Sequence, residues 1–263
     1  MKIIVLGDIH GRTVWKDIII KENPDKIVFL GDYITTHMSI SPEQQLSNIE
    51  DILNYKETNL NKVILLRGNH DIQMLGYHWA ECSGWDKKVY EGMIPLRDRF
   101  LSLTQWIYQI PNTNIICSHA GISNKFLDNV CKYFKSKEGW DFNIYDTNQL
   151  LEHINDIEPN ELFAFTPSHF SDYTGDSETQ PCTWIRPFTL LHYGVKDIIH
   201  VVGHTPVKNI CDLKKEVYKN SKKQFGDKYL KEITDYAEVW CCDCLEDSQY
   251  LIIEDNQFIP KVL

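Results

Sequence analysis

A carboxylate and an imidazole follow the first apolar run of this sequence. The run stops at Gly7, and Asp8 and His10 come next, separated by one residue. In an extended or tightly turned segment, side chains at positions i and i+2 point the same way. The two groups therefore converge, and both are good ligands for a divalent cation. Alone, the pair is equally compatible with an ordinary turn between a strand and a loop.

Four later apolar runs end in residues of the same kind. The groups that follow these runs are Asp32, Asn69 with His70, His119, and His204. A small residue beside each group allows the backbone to turn sharply. Nitrogen and oxygen ligands of this mixture suit Mn, Fe or Zn, and they outnumber the positions of one tetrahedral site. The sequence therefore predicts two metal ions, roughly 3.5–4 Å apart, that clamp the attacking and leaving oxygens of an in-line displacement.

The apolar runs themselves are predicted to be buried strands. The first three, which end near Leu6, Leu30 and Leu66, alternate with predicted helices over 13–22 and from Ser41 to about Lys56. Ser41 is a candidate N-cap, because Pro and Gln follow at the expected positions. Alternation of strands and helices favours an α/β fold, in which ligands bind beyond the carboxyl ends of the strands.

The remainder of the chain has a less regular pattern. Residues 72–110 are predicted to be mostly helical, and 114–117 and 198–202 are predicted strands. The segment 122–180 is predicted to be an insertion or lid that begins with a helix to about 135. A solvated helix or loop is expected over 208–236. Two late strands, 238–242 and 249–254, are predicted to form a hairpin at the end of a mixed sheet.

Length and composition indicate an ordinary globular enzyme. The 263 residues are 43% hydrophobic and 24% charged, and we expect one domain over 1–263 that carries the insertion. The net charge of −10 opposes binding to long nucleic acids, but it permits a small phosphate substrate if metal ions reverse the local charge. Eight scattered cysteines, no long apolar run and no visible secretory signal favour a cytoplasmic protein.

Five motifs, in this order, carry a family resemblance. They are Gly7-Asp8-Ile9-His10-Gly11, Gly31-Asp32-Tyr33, Arg67-Gly68-Asn69-His70-Asp71, Ser118-His119-Ala120-Gly121 and Gly203-His204-Thr205. Together they resemble the motifs of calcineurin-like metallophosphoesterases. The single His of the last motif is similar to the phosphoprotein-phosphatase branch, which includes bacterial and phage-type Ser/Thr phosphatases and symmetrical diadenosine tetraphosphate hydrolases. The resemblance implies a four-layer α/β/β/α sandwich of two mixed sheets flanked by helices.

The resemblance also implies roles for the matching positions. Asp8 and His10 would bind one metal ion, Asp32 would bridge both, and the second ion would be bound by Asn69, His119 and His204. His70 would protonate the leaving group while a metal-bridging hydroxide attacks phosphorus. Mn²⁺ is the expected metal, with Fe, Zn or Mg as alternatives. The phosphate would be bound by Arg186, Arg67 and Asn69.

Two residues depart from the pattern of the branch. Thr35 and Thr36 stand where the branch usually has an acidic or small residue and then an arginine that grips phosphate. The resemblance therefore supplies neither the first phosphate arginine nor a carboxylate that orients His70. Candidates to compensate are Asp71, which we assign to the catalytic group with His70, and also Arg12 and His37.

The reaction expected from these residues is hydrolysis of phosphate monoesters, with a Ser/Thr-type protein phosphatase as the first choice. Alternatives are a dinucleoside polyphosphate hydrolase and a catalytically weakened module that binds phosphate for regulation. The partner is accordingly a phosphorylated protein or a small nucleotide, and no membrane partner is expected. His200, inside a strand, is predicted to be a packed core residue, and the cysteines of 241–244 are predicted to be buried thiols.

Overall fold

Eleven strands form two sheets in the computed structural model of the chain, which describes residues 1–35, 39–77, 82–138, 153–159, 161, 174–225 and 235–263. The first sheet has the order β11-β10-β1-β2-β3-β4. Its strands are β1 (Lys2–Leu6), β2 (Lys26–Phe29), β3 (Val63–Leu66), β4 (Thr104–Gln105), β10 (Gln249–Glu254) and β11 (Gln257–Val262). β1 to β4 run parallel, whereas β10 is antiparallel to both β1 and β11.

The second sheet has the order β5-β6-β7-β9-β8. Its strands are β5 (Ile107–Gln109), β6 (Ile115–Ser118), β7 (Ile199–Val202), β8 (Cys211–Asp212) and β9 (Glu238–Cys241). The central strands β6, β7 and β9 are parallel, and the edge strands β5 and β8 are antiparallel to their neighbours. Both sheets are therefore mixed, as expected.

Eight α-helices surround the sheets within the described residues. They are α1 (Trp15–Glu22), α2 (Pro42–Thr58), α3 (Asn69–Met74), α4 (Lys87–Met93), α5 (Arg97–Leu103), α6 (Asn124–Glu138), α7 (Pro187–Tyr193) and α8 (Leu213–Phe225). The predicted cap of α2 is confirmed: Ser41 accepts from the Gln44 backbone N–H at 3.2 Å, and the Gln44 side chain accepts from Ser41 N–H at 3.1 Å. None of the described helices combines the length and hydropathy needed to cross a bilayer.

Three apolar clusters define the layers. The first packs helices such as α2 on the outer face of the first sheet, for example Ile49 against the Ile27 side of β2. A second cluster lies between the sheets and joins Val5 and Val28 to Cys117 and Val201. The third packs Leu190 of α7 and its neighbours on the outer face of the second sheet. Because apolar side chains fill all three interfaces, the four-layer α/β/β/α architecture is confirmed.

Residues 72–110 contain the helices α3 to α5, as predicted, and also the short strands β4 and β5 near their end. One prediction of secondary structure is wrong. The late strands do not form a hairpin: β9 pairs with β7 in the second sheet, and β10 pairs with β1 in the first. The hairpin partner of β10 is β11, and the turn between them has Asp255 and Asn256 at φ of 49° and 60°. Positive φ at both central residues matches the twist of a two-residue hairpin.

Other regions agree with expectation or lie outside the description. α6 confirms a helix at the start of the predicted insertion, and α8 occupies part of 208–236. Residues 139–152, 160 and 162–173 lie outside the described residues, and so do Thr36 and His37. All eight cysteines are free, and Cys241, Cys242 and Cys244 are buried, as predicted.

Candidate metal centre

The carboxyl ends of five parallel strands meet at one edge of the sandwich. β1, β2 and β3 present Asp8 with His10, Asp32, and Asn69 with His70, while β6 and β7 present His119 and His204. A cavity of about 500 Å³ opens there. Its lining includes Asp8, His10, Asp32, Asn69, His70 and His204 together with Arg12, Thr35, Cys82, Trp184, Arg186, Asp243 and Glu246. The structure thus brings together every metal ligand predicted from the sequence, with His119 fully buried behind the cavity wall.

Two glycines allow the aspartates to approach neighbouring loops. A Cβ at Gly68 would lie 2.0 Å from Asp32 Oδ1, and a Cβ at Gly203 would lie 2.2 Å from Asp8 Oδ1. Those oxygens instead accept backbone N–H groups, Asp32 Oδ1 from His70 at 3.0 Å and Asp8 Oδ1 from His204 at 3.0 Å. Each aspartate is therefore held through Oδ1, and its orientation is fixed by the next loop.

Asp32 Oδ2 occupies the centre of the cluster. It lies 3.4 Å from His119 Nε2 and 4.0 Å from the Nε2 atoms of both His10 and His70. Asp8 and His10 are 3.8 Å apart between Oδ2 and Nε2. Ligand atoms of Asp8, Asp32 and His119 all lie within 4.8 Å of one another, which makes them a candidate metal site.

The spacing on the His119 side fits a metal ion. Asn69 Oδ1 lies 2.8 Å from His119 Nε2 and 3.0 Å from His204 Nδ1. Ligands bound at about 2.0–2.2 Å to a common ion stand roughly 3 Å apart, which matches these separations. His204 Nε2 is buried and has no hydrogen-bond partner among the described residues. The donor set and its spacing therefore fit a divalent cation.

Backbone carbonyls orient two of the imidazoles. His119 Nδ1 lies 2.8 Å from the Leu30 carbonyl oxygen, and His10 Nδ1 lies 2.6 Å from that of Thr35. A carbonyl oxygen only accepts, so each Nδ1 carries a proton, and Nε2 is the nitrogen that a metal ion can bind once it is deprotonated. This is the arrangement in which a second hydrogen bond fixes the tautomer of a metal-binding histidine.

The pKa shifts of the buried groups indicate that this position stabilises positive charge. Burial alone would lower the pKa of His119, but the carboxylates of Asp32 and Asp8 outweigh it and raise that pKa to about 10. Burial also opposes ionisation of Asp32, yet His119 and His70 hold its pKa well below the usual range. For Asp8, burial and then the Asp243 carboxylate raise the pKa. Divalent cations supply the positive charge that such carboxylates require.

His70 is oriented by a hydroxyl group. Thr35 Oγ1 lies 2.6 Å from His70 Nδ1, in the place where a carboxylate was expected from the family resemblance. Thr35 is buried and has a φ of 61°, which is unusual for a β-branched residue. His70 Nε2 faces Asp32 Oδ2 at 4.0 Å. The sequence identified Thr35 only as a departure, although a hydroxyl is a sufficient hydrogen-bond partner for an imidazole.

Asp71 does not orient His70 as the sequence analysis suggested. Its carboxylate accepts the backbone N–H groups of Asp32, Tyr33 and Gly68, each at 2.8 Å. It is fully buried, so these three bonds fix the loop that carries Asp32. Asp71 is thus a positioning residue for Asp32, and its assignment to the catalytic group needs correction.

Arg67 is also placed differently from the expectation. Its Nε donates to Thr104 Oγ1 at 2.8 Å, and its Nη2 donates to the carbonyls of Leu101 and Thr104. The guanidinium lies 4.5 Å from the Trp106 ring centroid and is not among the described residues that line the cavity. The structure contradicts a phosphate-binding role, because these bonds direct the cation towards α5 and β4.

Arg186 does line the cavity. Its Nη1 donates to Thr205 Oγ1 at 3.0 Å, and its Nε donates to the Thr174 carbonyl at 2.8 Å. Thr205 follows His204 directly, so this guanidinium stands beside the metal ligands. A fixed planar fork at this place is suited to phosphate oxygens.

Sequence reasoning missed Asp243. This buried carboxylate follows β9, lines the cavity, and has a pKa raised by burial. The rule that located the other ligands, a polar group after an apolar strand, also identifies this residue. The surrounding cysteines, Cys241, Cys242 and Cys244, directed attention to thiol chemistry instead.

The fold of this chain is similar to those of several solved structures. A cold-active protein-tyrosine phosphatase of a psychrophilic Shewanella species matches with a TM-score of 0.55 at 16% identity, over 99% of this chain and 77% of that one. A serine/threonine phosphatase from Saccharomyces cerevisiae matches at 0.48 and 12%, over 99% and 79%. The phosphatase domain of the Legionella effector WipB matches at 0.49 and 15%, over 78% and 100%. At such identities the likeness concerns the fold.

The model of one family, calcineurin-like phosphoesterase, matches residues 1–208, which is well over half of the chain. No curated protein matches the sequence of this chain. The matched range contains all the predicted ligands from Asp8 to His204, and divalent metal ions are the cofactors that the family implies. The chain therefore belongs to the calcineurin-like phosphoesterase family and is a hydrolase.

Proposed function

We propose that the chain is a metal-dependent phosphatase that hydrolyses phosphate monoesters, with phosphoserine and phosphothreonine residues of proteins as its first substrate class. The central position of Asp32 Oδ2 carries the proposal. This single oxygen lies 3.4 Å from His119 Nε2 and 4.0 Å from His10 Nε2. Such an oxygen can be shared by two cations, which is the arrangement used for in-line phosphoryl displacement.

Two ions would divide the ligands between them. Asp8 and His10 would hold one ion, Asp32 would be shared, and the other ion would be held by Asn69, His119 and His204. When bound, such ions neutralise phosphoryl oxygens and lower the pKa of water towards 7. Mn²⁺ is our first choice, with Fe, Zn or Mg as alternatives.

His70 is the proposed general acid. Because Nδ1 bonds to Thr35 Oγ1, Nε2 faces the cavity and can hold a proton for the leaving oxygen. Asp71 keeps the Asp32 loop in place through its three backbone bonds, so the distance between Asp32 and His70 is fixed. Arg186 would bind the phosphate oxygens at the cavity wall.

Elemental analysis and kinetics test the proposal together. After reconstitution with Mn²⁺, close to two ions per chain and turnover of nitrophenyl phosphate are expected. Asp8→Asn should abolish this turnover, because it removes a negatively charged ligand. The side-chain volume hardly changes, so the fold should be retained. One ion per chain at saturation would contradict the shared role of Asp32.

A substrate panel separates the alternatives. Phosphoserine, phosphothreonine and phosphotyrosine peptides, nucleotides and dinucleoside tetraphosphates are compared by kcat/KM. A dinucleoside tetraphosphate that exceeds every phosphopeptide by more than about a hundredfold, a gap of about 2.7 kcal/mol, would displace the first choice. Phosphate binding without turnover of any of them would identify a regulatory phosphate-binding module.

A further inference from the structure

Arg12 brings a second guanidinium to the catalytic cavity. It follows His10 and Gly11 along the chain, and its side chain lines the cavity with an exposed fraction of 14%. Its Nη1 lies 3.4 Å from the carbonyl oxygens of Asp8 and Ile9. The cation therefore stands beside the loop that carries the first pair of metal ligands.

Glu246, one of the partners of Arg12, is weakly held. Nη2 lies 3.3 Å from Glu246 Oε2, and the Glu246 side chain is 59% exposed. An ion pair that faces solvent on one side contributes little to stability. A phosphate offers a guanidinium two short, charge-assisted bonds in place of this one. Glu246 can therefore be exchanged for a phosphate oxygen at small cost.

The Arg12–Glu246 pair also separates two cavities. A second cavity of about 560 Å³ shares both residues with the catalytic one. Its lining also includes Lys16, which is paired with Asp51 at 2.6 Å. Arg12 is thus placed at a boundary where an anionic group of the substrate would meet it from the catalytic side.

Arg12 contributes substantially to the net charge of the catalytic cavity. Four carboxylates, from Asp8, Asp32, Asp243 and Glu246, line the catalytic cavity, and its lining has the guanidinium groups of Arg12 and Arg186. Two divalent ions would then leave two net positive charges to receive a phosphate. Loss of Arg12 would halve that excess.

We propose that Arg12 is a phosphate-contacting residue that binds substrate by exchanging Glu246 for a phosphate oxygen. It would supply the contact that the sequence, with Thr36 in place of the expected arginine, does not provide. This inference rests on the proposed phosphatase function. It names no particular ester, because the contact is to the phosphate that all candidate substrates share.

The test measures binding of inorganic phosphate to the Mn²⁺-reconstituted protein by calorimetry, alongside KM for nitrophenyl phosphate. Arg12→Gln should weaken phosphate binding roughly 10- to 100-fold with unchanged metal content, because one charged hydrogen-bonding group is lost. Arg12→Lys should restore part of the affinity. Glu246→Gln should tighten binding roughly two- to fivefold, since the competing carboxylate is removed.

Lys16→Gln is the matched control, because it removes a cation from the second cavity alone and should leave phosphate affinity unchanged. If the Arg12→Gln protein folds, still turns over nitrophenyl phosphate and binds phosphate with wild-type affinity, the inference is overturned. Should Arg12→Gln fail to fold, unchanged affinity in Glu246→Gln would overturn it as well. A wild-type protein that neither binds nor hydrolyses phosphate compounds would instead defeat the proposed function, and this inference with it.

Discussion

Two buried histidines on neighbouring strands have opposite chemistry. His119 follows β6 and His200 lies within β7, and both side chains are fully buried. Burial by itself would lower the pKa of both imidazoles. The carboxylates of Asp32 and Asp8 reverse the effect for His119 and raise its pKa to about 10, whereas that of His200 falls to about 4.

The surroundings of the two rings explain the difference. His119 lies at a strand end, where loops bring two carboxylates and Asn69 to its Nε2. His200 lies in the middle of a strand, and its buried ring donates from Nε2 to the Val195 carbonyl at 3.2 Å. Burial alone therefore does not make a histidine suited to bind a metal ion. The position at a strand end matters, because the loops that meet there place carboxylates against the ring.

The largest expected effect comes from Asp32→Ala. Because this residue faces ligands of both proposed ions, at least one ion should be lost and kcat/KM should fall by more than about 10⁴-fold. In the metal-free variant, the pKa of His119 should fall towards that of His200, and NMR titration of the imidazole would measure this shift. Asp51→Ala, an exposed carboxylate far from this cluster, is the control. Retention of two ions would refute the central role of Asp32.

His70→Asn probes a third imidazole, which is partly exposed and 4.0 Å from the same Asp32 oxygen. If Nε2 delivers a proton, kcat should fall about 10²–10⁴-fold for an alkyl phosphate with a poor leaving group. The loss should be smaller for nitrophenyl phosphate, whose leaving group needs little protonation. Equal losses for both substrates would assign His70 to binding.

The paired substitutions His119→Gln and His200→Gln test directly whether only the histidine at the strand end supports metal binding and activity. His119→Gln should lose metal and about 10²–10³-fold in kcat/KM, because a ligand is replaced in a charged cluster. His200→Gln should keep both metal content and activity while its stability falls by about 1–3 kcal/mol. Urea unfolding and elemental analysis measure the two outcomes. Similar activity losses in both variants would show that the site depends on the interior of β7.

Acid should destabilise the protein through His200. Its folded pKa of about 4 lies below the unfolded value near 6.5, so the unfolded chain binds the proton first. The resulting stability is present above pH 6.5 and is lost as pH falls to 4, by up to about 3 kcal/mol. Urea unfolding of the metal-free protein across this range should show the loss, and His200→Gln should reduce it. An identical pH dependence in that variant would exclude His200 as the source.

The smallest effect is expected from Thr35→Val, which removes the hydroxyl beside His70 Nδ1. The loss of one neutral hydrogen bond should lower kcat about tenfold and alter the acidic limb of the pH–rate profile. Thr35→Ser, which keeps the hydroxyl, should restore both. An unaltered kcat in Thr35→Val would mean that His70 is oriented by other contacts.

The positions of the ligands could be predicted because they follow from local pattern. An apolar run and a small residue together identify a strand end, and parallel strands bring their ends to one edge. Asp8, Asp32 and His204 were found in this way. The same pattern gives no information on rotamers, so Arg67 was assigned to the cavity although its guanidinium packs on Trp106.

Pairing over long distances was beyond the sequence. β4 and β5 have two and three residues, which is too short for any periodic signal. β9 and β10 are neighbours along the chain and are both mostly buried apolar runs, yet they belong to different sheets. The choice between sheets is made by the partners β7 and β1, which lie far away in the chain.

The pairing of β1 with β10 sets the order in which the protein can be completed. Ile3 pairs with Ile253, so β1 meets this neighbour only after about 250 further residues have been synthesised. At typical rates of synthesis the delay is roughly 12–50 s. During that time one edge of β1 is an open template for wrong strands, and the loop of Asp8 and His10 lacks its final support. The catalytic pocket is thus completed only when the β10–β11 hairpin has been synthesised.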